Sequence, residues 1–351
     1  MKHIAIFVPS IKSGGAEKQA VLLARCLSVH YVVHFIVYHG EMAPFEPNVK
    51  ILSECQHYTL LNLCGGHWNR IKQLYRILRD NKVECIFNYL TFCDVVGAAI
   101  GRLAGVNWIY NGIRNSRLPK GKLFAERFFH NFFVTATIFN CYSGSEFFQD
   151  HGFTKKKCLV IPNGFPSIQN PIKRILSDVP QIITVGRFVQ QKDYETAIRA
   201  ISLLKDHRFC FLIVGYGELE EKIRQWVKQY HIEDVTTIYI NPSNTQELIK
   251  SADIYLSTSL FEGTSNSIME AMNWSLPVVA TDVGDNSYLV QEKQSGFLHS
   301  IGDAEGIANS LGKLLANSDL RNKMGEMGNH ALRKQYSMEL FEKRYINLIE
   351  G

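Results

Sequence analysis

At 351 residues, with 46% hydrophobic and 20% charged content, the chain is long enough for two ordinary globular domains and too apolar to be disordered. Its eight cysteines include no C-x-x-C pair and no metal-ligand spacing, which excludes a zinc scaffold and suits a reducing, cytoplasmic setting. Residues 1–165 hold 19 Lys/Arg against 10 Asp/Glu and residues 166–351 hold 19 against 23, so the first half calls for an anionic partner such as a membrane surface or lipid phosphate.

In chain order, Ile4–Val8 reads as a fully apolar strand; the run is too short for a signal peptide. It opens into Pro9–Glu17, a small-residue loop with Gly14-Gly15, and a helix with Ala16, Ala20, Leu23, Ala24 and Leu27 on one face. Glycines there let backbone N–H groups approach a ligand at a helix start. Val32–Val37 and Glu84–Asn88 are further buried-type strands, with a helix around Trp68–Asp80 between them. Alternating strands and helices predict a parallel sheet covered on both faces. Trp108–Arg117 is a strand end opening into a polar loop. Lys120, Lys122 and Arg127 then alternate with Leu123, Phe124, Phe128 and Phe129, as in a helix lying in a membrane interface, although such rings also serve as core. No nucleic-acid motif accompanies the basic residues, and no stretch of about 18 apolar residues spans a membrane.

Phe165–Pro180, with three prolines and little periodicity, reads as a linker. A second cycle starts at Gln181–Val185 and runs into Gly186-Arg187, a loop with Lys192, and a helix from about Tyr194 to Lys205. Arg187 and Lys192 bracket that loop and have the chemistry of a phosphate clamp. Phe211–Val214 leads to Gly215-Tyr216-Gly217, which lacks the third glycine of a dinucleotide fingerprint. Thr237–Ile240 and Asp253–Leu256 are the next strands. Leu260–Leu276 then sets Glu262 and Glu270 on either side of Gly263-Thr264-Ser265-Asn266, just before an apolar helical pattern. Ser265 or Asn266 is the expected N-cap, so free N–H donors converge beside two carboxylates. Such a site suits a phosphorylated sugar. Seven of the twelve histidines, at positions 3, 34, 39, 57, 67, 130 and 151, form no metal motif among themselves, and a last helix is expected over Tyr336–Ile349.

With G-G-A-E after the first strand, G-R-x4-K after the first strand of the second half, and E-x7-E-A-M followed by P-V-V-A-T-D, the sequence resembles the retaining glycosyltransferases of family 4. The resemblance covers essentially the whole chain and rests on the ordered combination of motifs. It implies an α/β GT-B fold, two Rossmann-like doubly wound domains facing across a cleft. Residues 1–165 would be the acceptor-binding domain, with a helix at 336–351 packing back on it. Residues 166–335 would bind the nucleotide-sugar.

The resemblance further implies that Glu262, Arg187 and Lys192 are catalytic, the two cations holding the donor diphosphate and neutralising the charge that develops as it leaves. Gly14, Gly15, Gly186, Gly215, Gly263, Thr264, Ser265, Asn266 and Glu270 would join them in binding the donor, with Glu270 on the ribose hydroxyls. No metal or other cofactor is expected. The reaction expected is retaining transfer of a hexosyl or N-acetylhexosaminyl group, most simply from a UDP-sugar, to a glycan or polyprenyl-linked acceptor of surface-glycan biosynthesis. The setting would be cytoplasmic, at the inner face of the cell membrane.

Three departures stand out. Asn111, Gly112 and Arg114 occupy the place where the family often has a His, which makes Asn111 and Arg114 the acceptor candidates. Asp193 follows Lys192 in place of the usual Gly, and Tyr288 stands where a Glu is common. A nucleotide-sugar epimerase fits the motif order less well, and the missing third glycine argues against an oxidoreductase. A non-catalytic nucleotide-binding partner subunit is opposed by the intact Arg187, Lys192, Glu262 and Glu270.

Overall fold

The computed structural model describes residues 1–114, 117–173 and 179–351. It divides into two compact units, Met1–Pro166 with Met338–Gly351, and Ser167–Ser337.

The first unit runs β1 (His3–Val8), α1 (Gly15–Leu27), β2 (Val32–Val37), α2 (Glu46–Ser53), β3 (Tyr58–Asn62), α3 (His67–Asp80), β4 (Cys85–Asn88), α4 (Thr91–Ala104), β5 (Trp108–Ile113), α5 (Lys120–Phe132), β6 (Ala136–Phe139), α6 (Tyr142–Asp150) and β7 (Cys158–Val160). All pairings are parallel, in the order β3-β2-β1-β4-β5-β6-β7. β1 is continuously apolar because helices cover both faces: Ile4, Ile6 and Val8 enter one core cluster, Ala5 and Phe7 the other. From β1 the chain winds to one edge and then returns to the other side at β4. The β1/β4 boundary is therefore the topological switch point.

The second unit runs β8 (Gln181–Arg187), α7 (Tyr194–Ser202), β9 (Cys210–Tyr216), α8 (Glu220–Gln229), β10 (Thr236–Ile240), α9 (Thr245–Ser251), β11 (Ile254–Ser257), α10 (Asn266–Asn273), β12 (Val278–Thr281), α11 (Asn286–Leu289), β13 (Gly296–His299), α12 (Ala304–Ala316) and α13 (Ser318–Tyr336). Its parallel sheet has the order β10-β9-β8-β11-β12-β13 and switches between β8 and β11. Each unit is thus a doubly wound sheet of Rossmann type.

Two boundaries differ from the sequence pattern. The last helix does not begin at Tyr336, which is the buried final residue of α13; extended Ser337 (φ −61°, ψ 151°) separates it from α14 (Met338–Glu350). α14 belongs to the first unit, where Phe341, Tyr345 and Ile349 enter the core and the Tyr110 hydroxyl donates to Leu348 O at 2.9 Å. The stretch expected as a linker is tied to the second unit at its start. Gln169 N donates to Asn273 Oδ1 at 2.7 Å and Ile172 N to Ser275 Oγ at 3.1 Å. Its residues 174–178 lie outside the described residues, as do 115–116 of the loop after β5.

Candidate active site

In an open parallel sheet, the connections that leave the two strands at the switch point diverge and leave a crevice outside the carboxyl ends. In the second unit these are the connections after β8 and β11, and they carry the residues singled out in the sequence. Gly186 pairs with Gly215 on β9, and a Cβ on Gly215 would sit 1.9 Å from Gly186 O, so that close strand approach requires glycine. Arg187 ends β8 and is exposed.

A short 3-10 turn, Gln190–Lys192, follows and ends in Asp193 at φ +44°. That left-handed conformation explains why a glycine commonly stands there. Aspartate tolerates it and adds a cap to α7, its carboxylate accepting from the Thr196 hydroxyl at 2.7 Å.

The two connections are laced together. Leu260 N donates to Gln191 O and Gln191 Nε2 to Phe261 O, both at 2.8 Å. The Thr258 hydroxyl donates to Asp193 O at 2.8 Å. This lacing brings Lys192 Nζ to Glu262 Oε1 at 2.5 Å, with the Ser259 hydroxyl donating to the same oxygen at 2.7 Å. The side chains of Lys192 and Glu262 are 18% and 10% exposed, so the pair is largely withdrawn from water and is worth more than a surface ion pair.

Beyond Glu262, Ser265 occupies the N-cap of α10, as the sequence suggests, but its hydroxyl lies 3.3 Å from Ser267 Oγ and makes no capping bond. The first-turn N–H groups of α10 are therefore without a side-chain cap beside Gly263 and Thr264, a setting for an anion. Asn266 is exposed, and Glu270 sits half-buried on the second turn. Its charge acts on the buried Tyr255 hydroxyl, which burial raises above its ordinary range.

The segment after β12 supplies residues that motif reading left without a role. Gly284, at φ +56°, lies so close to the loop that a Cβ would sit 2.3 Å from Glu262 O. Asp285, fully buried, donates its N–H to Gly263 O (3.2 Å) and accepts from the Thr264 hydroxyl (3.1 Å). These two residues brace the Glu262–Ser265 loop from below. Gly284→Ala is expected to displace the Glu262 loop and to destabilise the protein by about 1–3 kcal/mol, since both the positive φ and the close approach oppose a side chain. Denaturant unfolding checks this, and unchanged stability would mean that the loop tolerates a side chain there.

The first unit holds the remaining candidates. Gly14 is the N-cap of α1 in extended conformation, and a Cβ there would collide with the Glu17 carboxylate; Gly15 faces open space. Asn111 is fully buried and accepts from Asn88 Nδ2 at 3.0 Å, so it ties β5 to β4 and does not present its amide at the surface as an acceptor contact would require. Arg114 stacks over the Tyr89 ring at 4.6 Å and donates to the Tyr345 hydroxyl at 3.1 Å, which fixes its guanidinium to α14.

Behind them lies a pair that sequence reading missed. Asp94 and Glu126 are fully buried, from α4 and α5. Asp94 accepts from Gly112 N at 2.9 Å, yet burial pushes its carboxyl up to about 6, against the lowering effects of that bond, Glu126 and Arg114. Glu126 is driven well above the usual carboxylate range, first by burial and then by the Asp94 charge. Two carboxyls in one dry site oppose each other's ionisation. A lone acid in the apolar run T-F-C-D-V-V-G-A-A-I and another in K-L-F-A-E-R-F-F-H were the available signals.

The chain is similar to known proteins in sequence and in fold. The model for "Glycosyl transferases group 1" matches residues 168–331, nearly all of the second unit. The lipopolysaccharide core biosynthesis glycosyltransferase LpsE of Rhizobium meliloti is 25% identical over 173 residues, 49% of this chain; the match spans only about half (50%) of LpsE. A Campylobacter jejuni relative is 23% identical over 341 residues, with 92% of both chains covered. It is the N-acetylgalactosamine-N,N'-diacetylbacillosaminyl-diphospho-undecaprenol 4-alpha-N-acetylgalactosaminyltransferase. Among solved structures, Anabaena Alr3699/HepE in complex with UDP superposes with a TM-score of 0.81 over 100% of both chains at 16% identity. Residues 168–331 thus match the glycosyl transferases of group 1, and the whole chain is similar in fold to that solved structure.

Proposed function

We propose that the protein is a retaining, metal-independent glycosyltransferase that moves a sugar from a UDP-sugar to a lipid-linked or polysaccharide acceptor of surface-glycan biosynthesis. The observation that carries this reading is the Lys192–Glu262–Ser259 cluster beside the uncapped α10 N-terminus, at the switch point of the second sheet. Cations and free N–H donors suit a diphosphate, and carboxylates suit hydroxyls. The UDP complex of HepE and the diphospho-undecaprenol named for the Campylobacter relative support the choice of donor and acceptor classes.

In this reading Arg187 and Lys192 stabilise the charge that grows on the departing diphosphate. Glu262 orients Lys192 and meets the donor sugar, while Glu270 accepts from the ribose. Gly186 and Gly215 let the donor approach the strand ends, and Gly14 and Gly15 keep the start of α1 open for a phosphate. Asn111 positions the strand on which the acceptor side is built, and Arg114 is the acceptor contact.

The cytoplasmic face of a membrane is the proposed place of work. α5 exposes Phe124, Phe128 and Phe132 (64%, 45% and 72%) along one stripe, with Lys120, Lys122 and Arg127 on the same helix, and among the described residues no helix is long and apolar enough to cross a membrane.

Thermal unfolding with UDP, GDP and NAD tests the donor site. UDP at about 100 times its dissociation constant is expected to stabilise the protein by roughly 2.7 kcal/mol, with EDTA present or absent. Stabilisation by NAD alone, or by none of the three, would overturn the proposal.

A further inference from the structure

The first unit repeats the geometry of the second with opposite chemistry. At its switch point, between the connections after β1 and β4, lies a cavity of about 590 Å³. In the second unit that position carries lysine, glutamate and helix N–H groups. Here the lining is mostly apolar: Leu90, Phe92, Val95 and Val96 at the start of α4, and Leu118 before α5, with His67 and Thr91 as polar neighbours. The exposed Lys122 also lines it. Lys120 and Arg117 are exposed nearby in sequence, and the first turn of α5 holds no acid.

The backbone is committed to this shape. Leu90 adopts φ +70°, an uncommon conformation for leucine, and its N–H donates to Gly112 O at 3.4 Å. Thr91, which also lines the cavity, hydrogen-bonds the Glu126 carboxyl, so the cavity wall touches the buried acid pair. The strained residue is the one that turns β4 into α4 and opens the space.

A cavity of this size and polarity takes an apolar group of several carbons. A free sugar would leave its hydroxyls unpaired there, at a cost for each. Water-filled apolar walls are equally unfavourable, so an apolar ligand gains by displacing that water. The Lys122 ammonium beside these apolar walls matches a phosphate. An anionic head beside an apolar tail is the chemistry of a carrier lipid.

We infer that this cavity binds the first isoprene units of a polyprenyl diphosphate carrier, with Lys122 on the diphosphate. The inference rests on the proposed transferase reading and specifies how the acceptor is held. The acceptor's tail, and not only its glycan, is then a recognition element. A short soluble analogue must bind without any sugar attached.

Farnesyl diphosphate is the probe, titrated into the full chain by calorimetry with UDP as a control for the second unit. The expected result is binding at least tenfold tighter than inorganic diphosphate or farnesol alone. Val95→Trp, which fills the cavity, is expected to weaken farnesyl diphosphate at least tenfold and leave UDP affinity within twofold. Lys122→Glu, an exposed substitution that spares the fold, is expected to weaken it similarly. Unchanged farnesyl diphosphate affinity in both variants overturns the assignment, as does competition between farnesyl diphosphate and UDP for one site. Loss of UDP binding in the unmodified protein would instead defeat the transferase reading, whatever the cavity does.

Discussion

On the proposed transferase reading, Arg187→Ala and Lys192→Ala are each expected to lower turnover about 100-fold or more, because each would remove a cation that offsets the charge developing on the leaving diphosphate. The two substitutions differ in their secondary effects. Arg187 is exposed at the end of β8, so its removal leaves the fold intact and the loss falls on kcat. Lys192 is paired with a glutamate that is only 10% exposed, and its removal leaves Glu262 desolvated and unpartnered apart from Ser259. Breaking a buried pair from one side costs a few kcal/mol. Lys192→Ala should therefore also lower the unfolding temperature, and Lys192→Ala with Glu262→Gln should recover stability without recovering turnover. Steady-state kinetics with a UDP-sugar, alongside thermal unfolding, reads both. Near-normal turnover in the single variants would remove these residues from the chemistry.

Stability is expected to fall as pH rises above about 4 and through 6, because of Asp94 and Glu126. Both carboxyls hold their proton more tightly in the folded state than in the unfolded chain. Between the ordinary Asp value of 3.8 and about 6 for Asp94, the native state binds the extra proton, and stability declines with pH over that window. Glu126 extends the decline to higher pH, since burial and the Asp94 charge both oppose its ionisation. The groups facing the pair are Arg114, Thr91, Asn111 and the Gly112 N–H; Arg114 and the Gly112 N–H lower Asp94, and Thr91 and Asn111 lower Glu126, without offsetting its burial.

Glu126→Gln keeps the shape and needs no proton. It should raise stability at pH 8 by on the order of 1–2 kcal/mol and flatten the dependence above pH 6. Denaturant unfolding at pH 5, 6.5 and 8 measures it; parallel pH profiles for both proteins would mean that Glu126 is not held neutral.

How much of this was legible beforehand follows from the range of the interactions. Gly186-Arg187, Lys192 and the Glu262–Glu270 spacing are local, and a strand end, a loop and a helix start can be read from a few neighbouring residues. The departure at Asp193 was visible as a substitution, but its meaning, a left-handed residue that caps α7, required φ. The phenylalanines of α5 are ambiguous between core and surface in the pattern, and the fold leaves Phe124, Phe128 and Phe132 exposed while Phe129 packs inside. Asn111 looked like a ligand contact because it stands where the resembled family often has a His, whereas its amide is buried against Asn88.

By itself, then, the sequence determined the alternation of apolar strands and amphipathic helices, hence two doubly wound sheets, and the identity of the charged residues at the carboxyl ends of β8 and β11. Period and glycine placement encode these within short windows. Only the tertiary structure decided which of those residues meet. Lys192 and Glu262 are 70 positions apart and join because the strand order sets β8 beside β11. Gly284 and Asp285 brace the loop, Asp94 meets Glu126, and an apolar cavity opens at the first sheet's switch point for the same reason. Contacts between distant segments are fixed by topology and packing, and no local pattern carries them.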